Sequence, residues 1–164
     1  MNAERYVVIG VGNGYRGDDG VGLAVAARLR TRVPAGVDVI PCEQEPSRLI
    51  DAWQGAATAL IVDAVESGAE PGTVHRFDAS TTPIPAQALR SSTHAFGVGE
   101  AIELARALGK LPGRVVVYGV EGREFGAFQG LTAPVEAAVE RTANAVLDDL
   151  DRLSREEPPC TNEH

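Results

Sequence analysis

Two adjacent acids, Asp18 and Asp19, follow a run with glycines at 10, 12, 14 and 17. A third acid, Asp63, comes directly after the apolar run Ala59 to Val62, and His94 ends the polar stretch Ser91-Ser92-Thr93. Carboxylate oxygens and an imidazole nitrogen make a mixed donor set that suits a divalent transition metal and leaves positions open for water or a substrate. Taken singly, each residue has a plainer reading. Acids at helix starts complement the helix dipole, an acid after a strand often caps a helix or holds a loop, and a lone histidine is more often structural than a ligand. His75 falls on an alternating, strand-like segment and His164 in a polar C-terminal stretch. Cys42 and Cys160 are far apart, so neither a disulfide nor a cysteine metal site is expected. Neither G-x-S-x-G nor H-E-x-x-H occurs.

Spacing alone does not bring Asp19, Asp63 and His94 together; the elements around them must. Tyr6 to Ile9 is unbroken apolar sequence, as in a strand buried on both faces of a parallel sheet, and a strand is expected over 5–11. A helix follows over 19–32, with Val21, Val25 and Leu29 at four-residue spacing and Asp18 as its N-cap. A short strand at 37–41, a helix at 43–53, a buried-type strand at 59–62 ending at Asp63, and an edge strand at 73–77 come next. The segment 80–85 reads as an irregular loop. A helix over 95–108, capped from Ser91–Thr93, a strand at 113–120 and a last helix opened by Thr132 as N-cap complete the order. Residues 1–153 are expected to form one domain and 154–164 a polar, disordered tail. Strands alternating with helices give a three-layer α/β fold. In such open sheets, sites lie beyond the carboxyl ends of the strands. That rule places Asp18 and Asp19, Asp63 and His94 toward one rim.

The bulk properties narrow the function. The formal net charge of −8 argues against nucleic acid as a partner, because phosphate binding needs a basic face. No apolar run approaches the roughly 20 residues that span a bilayer, and the N-terminus has no leader-like pattern, so a cytoplasmic protein is expected. One rival reading is serious. Gly12 to Gly17 fits G-x-G-x-x-G between a strand and a helix, with Glu43 near the position of a ribose-binding acid, as in a nucleotide-binding module. That reading places a phosphate on the helix N-terminus, where this sequence has two carboxylates. At about 4 Å a phosphate charge would be opposed by roughly 4 kcal/mol at an effective dielectric of 20. A cation turns the same carboxylates into ligands.

The ordered motifs carry a resemblance. Gly10-Val-Gly12-Asn13, then Gly17-Asp-Asp-Gly-Val-Gly22, resembles the N-terminal signature of the hydrogenase maturation proteases, which process the large subunit of [NiFe] hydrogenases. Leu60 to Ala64, Ser92-Thr-His94 with Gly97, Val117 to Val120, and Gly130 to Glu136 match later segments of that family in order. The resemblance implies an α/β/α sandwich around a mostly parallel, twisted five-stranded sheet with one antiparallel strand. It implies that Asp19, Asp63 and His94 are the metal-contacting and catalytic residues, with Gly10, Gly12, Asn13, Asp18 and Gly22 shaping the supporting loop. It implies removal of a C-terminal extension from a large-subunit precursor after nickel insertion, with the nickel supplied by the substrate. Another divalent metal would be able to occupy the site in vitro. A monomer is expected, with loop 121–130 helping to select the substrate. A protein of the same fold that docks the precursor without cutting it is the remaining alternative.

Overall fold

The computed structural model describes residues 4–43, 47–84, 97–127 and 129–156. These form a five-stranded sheet: β1 (Tyr6–Gly12), β2 (Val37–Glu43), β3 (Thr58–Val65), β4 (Val74–Asp78) and β5 (Arg114–Glu121). The strand order is β2-β1-β3-β5-β4. All neighbours are parallel except the edge strand β4, which runs antiparallel to β5. The helices are α1 (Val21–Leu29), α2 (Ser47–Ala52), α3 (Val98–Ala107) and α4 (Ala133–Arg155), with a single 3-10 turn at Gly17–Gly20 ahead of α1.

Period-2 alternation divides each central strand between two cores. Val8, Leu60, Val62, Val116 and Tyr118 face α1 and α4, while Val7, Ile9, Ala59, Ile61, Val115 and Val117 face α2 and α3. Both faces are covered, which is why the central strands read as continuous apolar runs. The expected three layers and the antiparallel strand are therefore present. Trp53, buried after α2, donates its indole N–H to the Lys110 carbonyl at 3.0 Å, tying α2 to the end of α3.

Several boundaries differ from the sequence expectation, each for a local reason. The segment 17–20 is a tight turn and not the first turn of α1, which spans only nine residues. β3 does not end at Asp63; it continues through Ala64 and Val65 because these still pair with Val120 and Glu121 of β5. α3 begins at Val98, and its first turn is closed by Glu100, whose carboxylate accepts the Gly97 N–H at 2.9 Å. The caps expected from Ser91–Thr93 lie outside the described residues. α4 runs to Arg155, two residues past the expected end of the folded part.

One glycine decides how α1 meets the sheet. A β-carbon on Gly22 would stand 2.2 Å from the Val11 carbonyl oxygen and 2.5 Å from that of Val62. Only a bare backbone lets the start of α1 lie directly over β1 and β3. Gly10 lies in the same contact from the strand side, against the Gly22 carbonyl.

Candidate active site

β1 leads through α1 to β2 on one side of the sheet, while β3 leads through β4 and α3 to β5 on the other. The chain thus changes direction between β1 and β3, the place where open α/β sheets leave a crevice beyond the carboxyl ends of the strands. Asp19 lies just past the end of β1 and Asp63 near the end of β3. Both are buried. Asp19 Oδ2 accepts the Asn13 N–H at 3.1 Å, and Asn13 Oδ1 accepts the Tyr15 N–H at 3.0 Å, so the glycine loop folds around its own acid. Gly12, at φ 152°, ends β1 with the Asp19 carbonyl oxygen against its α-carbon.

Asp63 carries the clearest electrostatic signature of the pair. Burial, followed by the neighbouring charge of Asp19, pushes its carboxyl up to about 8, against a small opposing effect of the Ala64 N–H bonded to its Oδ1 at 2.8 Å. Two acids that disfavour each other's charge in a desolvated crevice are a recurrent functional arrangement. They accept a shared proton, or a cation that cancels both charges. Oxygen donors from two separate elements fit a divalent ion brought into the crevice. Among the described residues no three potential ligands gather into a metal site. His94, the third expected group, lies outside the described residues.

The comparisons with known proteins bear on this site. A family model described as hydrogenase maturation protease matches residues 24–149, more than three quarters of the chain. The chain belongs to the hydrogenase maturation protease family. Among relatives, it is 30% identical over 153 residues to the hydrogenase expression/formation protein HoxM of Azotobacter vinelandii, covering 92% of this chain and 74% of that one. It is likewise 30% identical over 145 residues to HoxM of Cupriavidus necator, covering 84% and 72%. Among solved structures, it matches the hydrogenase maturating endopeptidase HybD from E. coli with a TM-score of 0.74 at 25% identity, over 91% of this chain and 93% of that one. It also matches the [NiFe] hydrogenase maturation protease HycI from Thermococcus kodakarensis, with a TM-score of 0.70 at 26% identity, over 90% and 92%. The protein is thus a peptidase of the hydrogenase maturation type. Family membership, with two buried carboxylates where a nucleotide fold would seat its pyrophosphate, sets the dinucleotide reading of the glycine loop aside.

In this maturation protease, Asp18 does not cap α1. Neither the 3-10 turn nor α1 has a side-chain cap. The Asp18 carboxylate points away from α1, into the connection between β5 and α4. There its Oδ2 accepts the N–H groups of Arg123 at 2.7 Å and Glu124 at 3.0 Å, and its Oδ1 accepts the Thr132 N–H at 2.7 Å. The Thr132 hydroxyl reaches both oxygens, at 3.0 and 2.9 Å. Thr132 does stand at the N-cap position of α4, but its hydroxyl is spent on Asp18 and makes no cap.

Glu121 escaped the sequence reading. It is buried at the end of β5, where its Oε1 accepts the N–H groups of Ser67 at 2.7 Å and Gly68 at 2.9 Å. Its Oε2 accepts the Ser67 hydroxyl at 2.8 Å and lies 3.1 Å from His75 Nε2. The signal was available: an acid closing an apolar strand, the same pattern that singles out Asp63.

Proposed function

We propose that this protein is a monomeric, cytoplasmic endopeptidase that removes the C-terminal extension of a [NiFe] hydrogenase large-subunit precursor after nickel has been inserted. Asp19, Asp63 and His94 contact the precursor's nickel, which is substrate cargo and not a resident cofactor. The observation that carries this reading is the buried Asp19–Asp63 pair at the crevice between β1 and β3, with Asp63 pushed up to about 8 by burial and by Asp19. A site that resists two negative charges when empty gains most from a cation that arrives with its substrate. Family membership supports the peptide-cleaving part. No described helix is long and apolar enough to cross a membrane.

In this reading Asn13 fixes the Asp19 carboxylate through its backbone N–H, and the Ala64 N–H fixes that of Asp63. The crevice walls exclude water, which strengthens the interaction of both acids with the metal. Nickel held there would supply Lewis-acid polarisation of the scissile carbonyl, and a carboxylate of the pair is the alternative means of activating water, as a general base. The test is processing in vitro. Asp19→Ala, Asp63→Ala and His94→Ala are each expected to leave nickel-loaded precursor uncut, with the variants still folded by circular dichroism. The readout is the mass of the precursor. Normal mass loss with all three variants would remove the proposal, and binding without mass loss by the wild type would leave a docking protein instead of a peptidase.

A further inference from the structure

Asp18 connects two segments that are remote in sequence. Its carboxylate lies between the glycine loop and the segment 122–132, and its partners are 105, 106 and 114 residues away along the chain. The backbones of the two segments also meet directly. The Asp18 N–H donates to the Glu124 carbonyl at 2.8 Å, and the Gly17 N–H to the Gln129 carbonyl at 3.0 Å. The approach at Gly17 is close: at φ 58° a β-carbon there would stand 2.4 Å from the Glu124 carbonyl oxygen. The two loops therefore form one unit closed around a buried carboxylate that accepts three N–H groups and one hydroxyl. Charge-assisted bonds of this kind are stronger than neutral ones, and a carboxylate is acceptor-only, so it satisfies all these donors together.

The joined unit has two faces. Its inner side holds Asp19, the next residue after Asp18. Its outer side is exposed: Tyr15 is 72% exposed, with Arg16, Arg123 and Glu124 exposed beside the joined backbones. Most described arginines meet a carboxylate, among them Arg5, Arg28, Arg32, Arg76, Arg106, Arg114, Arg152 and Arg155. Among the described residues no ion pair of this kind engages Arg16 or Arg123. One exposed tyrosine and two arginines against one glutamate, among the described residues, leave this ledge net positive in an acidic chain, suited to hold an extended, carboxylate-bearing peptide segment while its neighbouring part enters the crevice.

We infer that Asp18 is a positioning residue that fuses the glycine loop and the β5–α4 connection into the ledge on which the precursor docks. Asp18 touches neither metal nor peptide. It sets where Tyr15, Arg16 and Arg123 stand relative to Asp19. This inference rests on the endopeptidase reading and adds to it the surface that receives the substrate.

The test compares Asp18→Asn, Thr132→Val and Thr132→Ser with the wild-type protein on purified nickel-loaded precursor, at a temperature where each is folded. Asparagine keeps the size of Asp18 but turns an amide donor toward buried N–H groups. The expected result for Asp18→Asn is a loss in kcat/KM of about 100-fold, carried mainly by KM, with faster amide exchange at residues 123, 124 and 132. Thr132→Val is expected to raise KM by a smaller factor, and Thr132→Ser, which keeps the hydroxyl, to restore it. A purely structural role would lower the melting temperature without moving KM. Wild-type KM in folded Asp18→Asn, or a loss confined to kcat, overturns the inference. If Asp18→Asn does not fold, the Thr132→Val and Thr132→Ser pair decides in the same way. Direct binding of the precursor by surface plasmon resonance separates the two levels. Wild-type binding without cleavage defeats the peptidase reading, while weaker binding by Asp18→Asn still supports the ledge and equal binding overturns it. Absence of wild-type binding overturns both.

Discussion

Asp63 holds its proton far above the ordinary carboxylate range because water is excluded around it and Asp19 adds a like charge. That has a consequence for stability as well as for chemistry. In the unfolded chain Asp63 ionises near 4. In the folded protein it ionises near 8. Between these values the folded state binds the extra proton, so stability is greatest below about pH 4 and declines as pH rises through the folded value. Asparagine mimics the protonated acid and does not ionise. Asp63→Asn is therefore expected to melt above the wild type at pH 8 to 9, with the gap closing toward pH 5, in thermal scans at a series of pH values. A constant gap at every pH would place the cause in packing and not in charge. The same variant is expected to be inactive, so stability and activity move in opposite directions at this one residue. This is the pattern of a site that carries its own electrostatic strain for function.

At the scale of elements, buried acids act as joints. Among the described residues five acids are buried. Asp18 ties the glycine loop to the β5–α4 connection, Glu121 ties the turn at 67–68 to the end of β5, and Asp149 ties α4 to the sheet edge. The Asp149 carboxylate receives Arg76 of β4 at 2.8 and 3.2 Å, Arg152 of α4 at 2.8 Å, and the Tyr118 hydroxyl of β5. Burial alone would raise Asp149, but the bonds from Arg76, Tyr118 and Arg152 outweigh it and hold the acid below its ordinary range. A depressed value stabilises above the unfolded ionisation and is lost as pH falls through the folded one. Asp149→Asn is expected to cost roughly 2 kcal/mol near neutral pH, in urea unfolding, and to approach the wild type below about pH 4. An undiminished difference at pH 3 would contradict this account. These joints also mark the limit of what could be read from sequence. The alternating layers were legible because apolar runs and helical spacing are local, and the family motifs kept their order along the chain. The role of Asp18 was not, because its donors lie more than a hundred residues away and a helix cap was the nearest local explanation. The end of β3 was misplaced for a similar reason. An aspartate reads as a strand breaker, yet pairing with β5 carries the strand two residues past it.

For the molecule as a whole, the question is who supplies the metal. The described part of the protein brings two carboxylates to one crevice, Asp19 from the 3-10 turn after β1 and Asp63 from near the end of β3. Each is fixed by a backbone N–H, so both are positioned before any ion arrives. A permanent structural or catalytic ion is normally enclosed by three or four protein ligands with supporting hydrogen bonds. The two described carboxylates are fewer than that, and with His94 as a third ligand, as proposed, positions would still be open for the substrate's own metal ligands. Protease stripped with a chelator and exchanged into metal-free buffer is therefore expected to cut nickel-loaded precursor at the rate of untreated protease. Precursor prepared without nickel is expected to stay intact even when free nickel is added to the protease beforehand. Precursor mass over time reads both arms. If the stripped enzyme is inactive and regains activity on adding metal to the protease alone, the ion is resident. The Asp19–Asp63 crevice would then be an ordinary metallopeptidase centre and not a reader of the precursor's nickel.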